Sequence, residues 1–203
     1  KCAAQFIEHP IERCDSHEPC CVRAGDMDLD GDMDVVAMST EDDKLIWYPN
    51  AGNGSFGVAL VIHRASANEN DRFMQFEPAD IDGDLDLDVV AFWEQDFGLS
   101  LHRNLGDGSF GPPEDIGYAE VFYYNDYSLV LADINGDGSP DVIAGDDMGN
   151  KLFVNDGNGA FSWLAYPNSP SHPVSLRAGD VDNDGDQDIL YVSNSTAYWR
   201  LND

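Results

Sequence analysis

Positive charge is the scarcest property of this 203-residue chain: ten lysines and arginines stand against 39 aspartates and glutamates, for a formal net charge of −29. A surface so negative repels phosphate backbones and anionic headgroups, which excludes nucleic acid and anionic membrane as partners. Long apolar runs are also missing. No stretch of 18 apolar residues exists, so no membrane-inserted helix is expected. The five histidines (His9, His17, His63, His102, His172) recur at no common spacing, and no Ser/His/Asp or Cys/His arrangement follows from them. Cysteine is confined to Cys2, Cys14, Cys20 and Cys21. Their spacing matches no CxxC metal pattern; an even number in one terminal patch points to disulfides pinning that segment, with three pairings open. The start, Lys1-Cys2-Ala3-Ala4, lacks the charged-then-apolar pattern of a signal peptide and reads as a mature or internal start. Helical periodicity is absent throughout.

What is present is order in the acids. Apolar residues make up 42% of the chain, too many for a disordered acidic tail and enough to bury a core. Eighteen aspartates fall within four windows, 26–34, 80–88, 133–141 and 180–188. Solvation alone does not concentrate charge in this way. The window starts are separated by 54, 53 and 47 residues. About 24 residues after each start comes a second marker: Asn50-Ala51-Gly52-Asn53-Gly54-Ser55-Phe56, Asn104-Leu105-Gly106-Asp107-Gly108-Ser109-Phe110 and Asn155-Asp156-Gly157-Asn158-Gly159-Ala160-Phe161, with a fourth copy beginning at Asn202-Asp203. Two markers in constant phase define a repeat.

Each unit alternates short β-rich runs with turn chemistry. The apolar run after each acidic window suits a strand covered on both faces. Leu45–Tyr48, Leu99–Arg103, Lys151–Val154 and Ala197–Leu201 read as the next strand, then the glycine-rich turn, then a fourth strand as in Val58–Ile62. A strand such as Ser128–Ala132 enters the following acidic window. Four short strands per roughly 50 residues is the blade of an all-β propeller. The repeats span approximately 20–62, 74–116, 127–166 and 174–203, within one domain or segment covering 1–203.

Carboxylates at positions 1, 3, 5 and 9 of a nine-residue loop repel one another by about 1 kcal/mol per pair at roughly 4 Å in water, and by more where water is excluded. No Lys or Arg lies inside any loop to offset this. A hard cation taking six to eight oxygens fits, whereas zinc or copper would want His or Cys. The expected ligands are Asp26, Asp28, Asp30 and Asp34; Asp80, Asp82, Asp84 and Asp88; Asp133, Asn135, Asp137 and Asp141; and Asp180, Asp182, Asp184 and Asp188. Position 7 (Asp32, Asp86, Ser139, Asp186) is a further candidate, through its carbonyl in the first loop. Calcium, about one ion per repeat and four in all, is the expected cofactor. An EF-hand would need Glu at position 12, where Ala37, Ala91, Ala144 and Tyr191 stand instead.

The Asp-x-Asp/Asn-x-Asp-Gly-x-x-Asp loop, the Val-rich strand after it and the Asn-x-Gly-x-Gly-x-Phe turn resemble the FG-GAP/VCBS repeat, over essentially the whole chain. That family includes the propeller of integrin α-subunits and secreted lectins. The resemblance implies calcium loops between the first two strands of each blade. The second loop departs from the pattern, with Gly83 before the fifth position and Leu85 in place of glycine, so an altered loop geometry is expected there. Such propellers commonly have seven blades. Either this chain is part of a larger ring, or a strand at 3–7 completes the last blade and closes a four-bladed ring; the phase of the repeat favours closure.

Opposite the acidic loops, Trp93 to Phe97 and Phe122 to Asn125 offer aromatics beside acids. Trp93, Phe97, Tyr123 and Tyr124 are candidates for stacking on a sugar or protein partner, with inter-blade packing as the alternative. Trp47 and Trp199 share a strand position with Leu101 and Leu152 and are expected in the core. Asn53 and Asn194 begin N-glycosylation sequons, meaningful in a eukaryotic secretory source. The functional expectation is a non-catalytic, secreted or cell-surface module for adhesion, ligand binding or assembly. Alternatives are a lectin, a self-assembling subunit of an extracellular filament, and a polysaccharide-active enzyme domain.

Overall fold

The computed structural model describes residues 8–11, 19–39, 43–64, 73–93, 98–118, 128–146, 149–164, 166, 173–193 and 195–202. Within them, every regular element is a β-strand. Blade 1 is the antiparallel sheet of β1 (Pro19–Gly25), β2 (Asp34–Ser39), β3 (Lys44–Tyr48) and β4 (Leu60–Arg64), in that order. Blade 2 repeats it with β5 (Phe73–Ala79), β6 (Asp88–Trp93), β7 (Gly98–His102) and β8 (Glu114–Tyr118). Blade 3 has β9 (Ser128–Ala132), β10 (Asp141–Asp146), β11 (Gly149–Asn155) and β12 (Phe161–Leu164). Blade 4 has three described strands, β13 (Pro173–Gly179), β14 (Asp188–Ser193) and β15 (Thr196–Arg200).

The second strand is apolar at successive positions, which suits a strand with sheets on both faces; in blades 2 and 3 both faces meet another sheet, in blades 1 and 4 one does among the described residues. Val36 and Met38 of β2, with Leu45 and Trp47 of β3, pack against Phe76, Val89 and Ala91 of blade 2. The opposite face of β6 and β7, Val90, Phe92, Leu99 and Leu101, packs on Leu129, Val142, Ala144 and Phe153 of blade 3. A third cluster joins Val130, Ile143 and Leu152 to Leu176 and Ile189 of blade 4. The phenylalanines of the glycine turns staple the blades together: Phe110 meets the edge of Trp47 at 6.3 Å, and Phe161 packs on the cluster between blades 2 and 3.

The three clusters join blades 1 to 2, 2 to 3 and 3 to 4; among the described residues none joins 4 to 1. The sheets form an open arc rather than the closed four-bladed ring that the repeat phase favoured. The closing strand expected at 3–7 lies outside the described residues. Trp199, expected in the core, is 52% exposed, whereas Trp47 at the same strand position is 2% exposed. The reason is that Trp199 lies on the face of blade 4 turned away from blade 3, which no other sheet covers among the described residues.

Candidate metal centres

The four acidic loops share one backbone. Positions 4 and 6 lie at positive φ in each: Leu29 and Gly31 (58°, 93°), Gly83 and Leu85 (79°, 80°), Gly136 and Gly138 (73°, 92°), Asn183 and Gly185 (65°, 104°). These reversals curl the loop so that the position-6 N–H donates to the position-1 carboxylate, at 3.0, 3.1, 2.8 and 3.2 Å in chain order. The position-7 N–H likewise donates to the side chain at position 5, at 2.9, 3.0, 2.9 and 3.0 Å. The backbone of the second loop is therefore the common one, and its altered geometry lies in the side chains: Asp80, Asp82 and Asp84 converge there, where the first and fourth loops use positions 1, 3 and 9. Leu85 adopts the glycine conformation and absorbs the strain.

Position 9 has a structural duty besides any metal. Asp34, Asp88, Asp141 and Asp188 are buried. Each accepts the position-2 N–H on one oxygen, from Met27, Ile81, Ile134 and Val181. On the other it accepts the N–H of the turn asparagine, from Asn50, Asn104, Asn155 and Asn202. One carboxylate thus clamps the loop to the glycine turn of its own blade, leaving neither donor buried without an acceptor.

The asparagine then reaches across to the preceding blade. The amide of Asn104 donates to Met27 O (2.7 Å), that of Asn155 to Ile81 O (2.8 Å) and that of Asn202 to Ile134 O (2.7 Å). The acceptor is always the position-2 carbonyl of the neighbouring loop. Sequence reasoning treated these asparagines as turn formers and missed the latch; their recurrence in phase was the available signal.

Carboxylate oxygens of Asp26, Asp28 and Asp34 lie within 4.8 Å of one another, as do those of Asp80, Asp82 and Asp84, and of Asp180, Asp182 and Asp188. In the third loop Asn135 replaces an acid and its amide donates to Asp137 at 2.8 Å. At position 7, Asp32, Asp86 and Ser139 lie against Gly52, Gly106 and Gly157 of the turns, where a Cβ would collide with them. Their side chains are outside the three carboxylate sets. Burial, and then crowding by neighbouring carboxylates, raises Asp28 above the ordinary range; for Asp84 burial is again the largest cause. Burial pushes Asp88 up to about 7 despite its two backbone donors.

The residues present fit a hard cation. All donors are oxygens, and Asp26 Oδ1 and Asp82 Oδ1 are buried without a hydrogen-bond partner. A buried carboxylate oxygen in that state costs several kcal/mol unless a charge meets it. The second loop has a local cation that the sequence did not reveal. Arg103, just before the turn asparagine, pairs with Asp82, donates to Glu114 at 2.9 Å, and reaches Asn158 O of blade 3 at 2.8 Å.

Of the aromatic candidates, Trp93 is half-buried, edge-on to His63 at 4.7 Å, with its indole N–H donating to Ser100 Oγ. That contact is between blades 1 and 2. Phe97, Tyr123, Tyr124 and Asn194 lie outside the described residues, as do Cys2, Cys14 and the Cys20 side chain. Cys21 carries a free thiol on β1. Asn53 is exposed at the tip of its turn.

The chain covers 90% of its length on 49% of an Agrocybe aegerita lectin that specifically recognises non-reducing terminal N-acetylglucosamine, with 22% identity and a TM-score of 0.69. It also superposes over 88% of its length on 9% of a chain of the Photorhabdus luminescens Tc holotoxin pore, at 19% identity and a TM-score of 0.57. This chain thus spans about half the length of the lectin. At these identities the likeness is one of fold. No curated protein matches it in sequence. The model of the FG-GAP-like repeat matches residues 22–91, 92–144 and 133–191, in phase with the loops and turns described above. The chain belongs to the FG-GAP-like repeat family.

Proposed function

We propose that this chain is a non-catalytic extracellular binding module whose blades are stiffened by calcium, about one ion per loop. The observation that carries this reading is the recurrence of converging carboxylates with buried oxygens, Asp26 Oδ1 and Asp82 Oδ1, that have no other partner. Calcium suits a site of oxygens alone, and extracellular calcium is abundant enough to fill sites of modest affinity. At a concentration tenfold above the dissociation constant, each ion stabilises the fold by about 1.4 kcal/mol. Four such ions approach the whole stability of an ordinary domain. Calorimetric titration is expected to count close to four ions, and chelator to lower the melting temperature steeply. An unchanged melting curve in chelator would sink the reading.

A glycan is the favoured ligand class. The lectin of the same fold supports it, and so does a cleft of about 290 Å³ at the end of β6 away from the acidic loop. Trp93 and the exposed Tyr118 offer ring faces there, and Glu114 and Asp115 offer acceptors for sugar hydroxyls. A glycan array on the calcium-loaded protein is expected to give hits that Tyr118→Ala abolishes without lowering the melting temperature. An array without hits would leave a protein ligand as the reading.

A further inference from the structure

The cleft at the end of β6 has a wall that the repeat does not dictate. Opposite Ala37 and Val35, the third strand of blade 1 carries Ile46 and Tyr48. The same two places hold Lys151 and Phe153 in blade 3, and Tyr198 and Arg200 in blade 4. In blade 2 they hold Ser100 and His102. His102 is 0% exposed, where Phe153 at the same place belongs to an apolar core. A buried imidazole in place of a phenyl ring costs stability unless its nitrogens are bonded.

Ser100 and His102 form one bonded unit with Trp93. The Trp93 indole N–H donates to Ser100 Oγ, and Ser100 Oγ lies 3.0 Å from His102 Nε2. A serine oxygen has one donor and two acceptor positions. Trp93 fills one acceptor and His102 fills a second position. The third is left on a buried side chain that lines the cleft. Burial pushes the His102 imidazole down to about 3, so the ring is neutral. Its Nδ1 is buried with no partner, so the ring hydrogen can sit on either nitrogen without breaking a bond at Nδ1. Ser100 therefore offers the cleft a donor when Nε2 carries that hydrogen, and an acceptor when Nδ1 does.

We propose that Ser100 and Asp115 select the ligand of this cleft, a glycan bound through two hydroxyls on adjacent carbons, and that His102 positions Ser100 for it. The proposal rests on the glycan reading given above. Asp115 lies directly across from Ser100 on β8, which puts their Cβ atoms roughly 5 Å apart. Its exposed carboxylate accepts only, and Glu114 beside it is held by Arg103. One hydroxyl of the pair donates to Asp115. Its neighbour meets Ser100, and a hydroxyl, which both donates and accepts, suits a partner that can do either. The apolar face of the sugar then stacks on Trp93 and Tyr118. Serine and histidine occupy these places in blade 2 alone, so one such site is expected in this chain, against four acidic loops.

The test is a titration of the calcium-loaded full chain with methyl glycosides of glucose, galactose, mannose and N-acetylglucosamine, and with analogues each missing one ring hydroxyl. Binding is followed through the indole N–H resonance of Trp93. One glycoside is expected to shift that resonance, with one bound per chain, and removing either hydroxyl of the pair should weaken it about tenfold. Ser100→Ala is expected to weaken the parent glycoside about tenfold, and to cost nothing further for the analogue missing the hydroxyl that meets Ser100. His102→Phe keeps a ring in the core, as Phe153 does, and should weaken the parent several-fold with that analogue unchanged. If His102→Phe does not fold, Ser100→Ala alone decides. Equal weakening of the parent and every analogue by Ser100→Ala would overturn the inference, since Ser100 would then only brace Trp93. So would no weakening at all, and so would array hits that leave the Trp93 resonance unmoved. The glycan reading survives all three. An array without hits would sink that reading, and this inference with it.

Discussion

The second and fourth loops carry aspartate at the same five positions, 80, 82, 84, 86, 88 and 180, 182, 184, 186, 188, yet their last carboxylates behave in opposite ways. Asp88 is pushed up to about 7 by burial, whereas Asp188 is held below the ordinary range by the hydrogen bond from Asn202. Both accept two backbone N–H groups, and both are covered at their own surface. The difference lies beyond that cover. Blade 3 packs on the second loop through Asn155, and among the described residues no asparagine of another blade reaches the fourth loop. The nine residues dictate the shape of a loop, and the neighbouring blade sets its electrostatics.

Removing the clamp should break the two loops unequally, and this is the largest expected effect. Asp88→Ala leaves the amides of Ile81 and Asn104 buried without an acceptor, at about 1–3 kcal/mol each, so a loss of about 3 kcal/mol or more is expected in urea unfolding. Asp188→Ala exposes its two amides at the open end, where water can replace the carboxylate, and should cost clearly less. Equal losses would show that the following blade does not seal the second loop.

The pH dependence of metal-free protein should separate them next. Asp88 has a folded pKa of about 7 against an ordinary carboxylate value, so the folded state holds the proton more tightly than the unfolded chain. Its contribution is fully present below the unfolded pKa and lost as pH rises through about 7. In chelator, unfolding free energy is expected to be about 2 kcal/mol greater near pH 5 than near pH 7.5, and Asp88→Asn should flatten that slope. Asp188 works in the other direction: its contribution is present above the unfolded pKa and lost as pH falls through its depressed folded value. A metal-free protein that gains stability from pH 5 to 7.5 would contradict the assignment to Asp88.

The loops, the turns and the blade strands were legible in the sequence because each is a local pattern repeated in phase. Carboxylates alternate through Asp26 to Asp34, and Val89-Val90-Ala91 reads as a strand covered on both sides, as it is between blades 1 and 3. What was not legible depends on residues some 50 to 80 positions apart. Asn104 reaching Met27 O and Arg103 reaching Asn158 O need the packing of whole blades before they can be seen. Trp199 was misplaced for the same reason: its strand register matches Trp47, but register says nothing about whether another blade follows. The closing of the ring is likewise a property of the ends, not of the repeat.

The strain in the second loop offers a smaller test. Leu85 sits at φ 80° where Gly185 sits at 104°, and a side chain in the left-handed region costs roughly 1–2 kcal/mol. Leu85 is 70% exposed, so little packing offsets that cost. Leu85→Gly is expected to stabilise the calcium-loaded protein by about 1 kcal/mol, less what glycine adds to the freedom of the unfolded chain. Gly185→Leu should destabilise by a similar amount. A loss on Leu85→Gly would mean that the leucine makes a contact in solution worth more than its strain.

The smallest effect expected, and the most informative about the metal, concerns Arg103. Its guanidinium already occupies one oxygen of Asp82, a carboxylate expected to hold calcium, while the corresponding Asp182 has no ion pair of this kind among the described residues. The bridge is partly exposed, so Arg103→Gln should change stability by no more than about 1 kcal/mol. It should, however, remove a positive charge standing next to an incoming divalent ion. Calorimetric titration is then expected to find the second loop binding calcium a few-fold more tightly in Arg103→Gln, with the fourth unchanged. Weaker binding would reverse the reading. Arg103 would then act by holding Asp82 in place for the ion, and the unequal loops would differ in preorganisation rather than in charge.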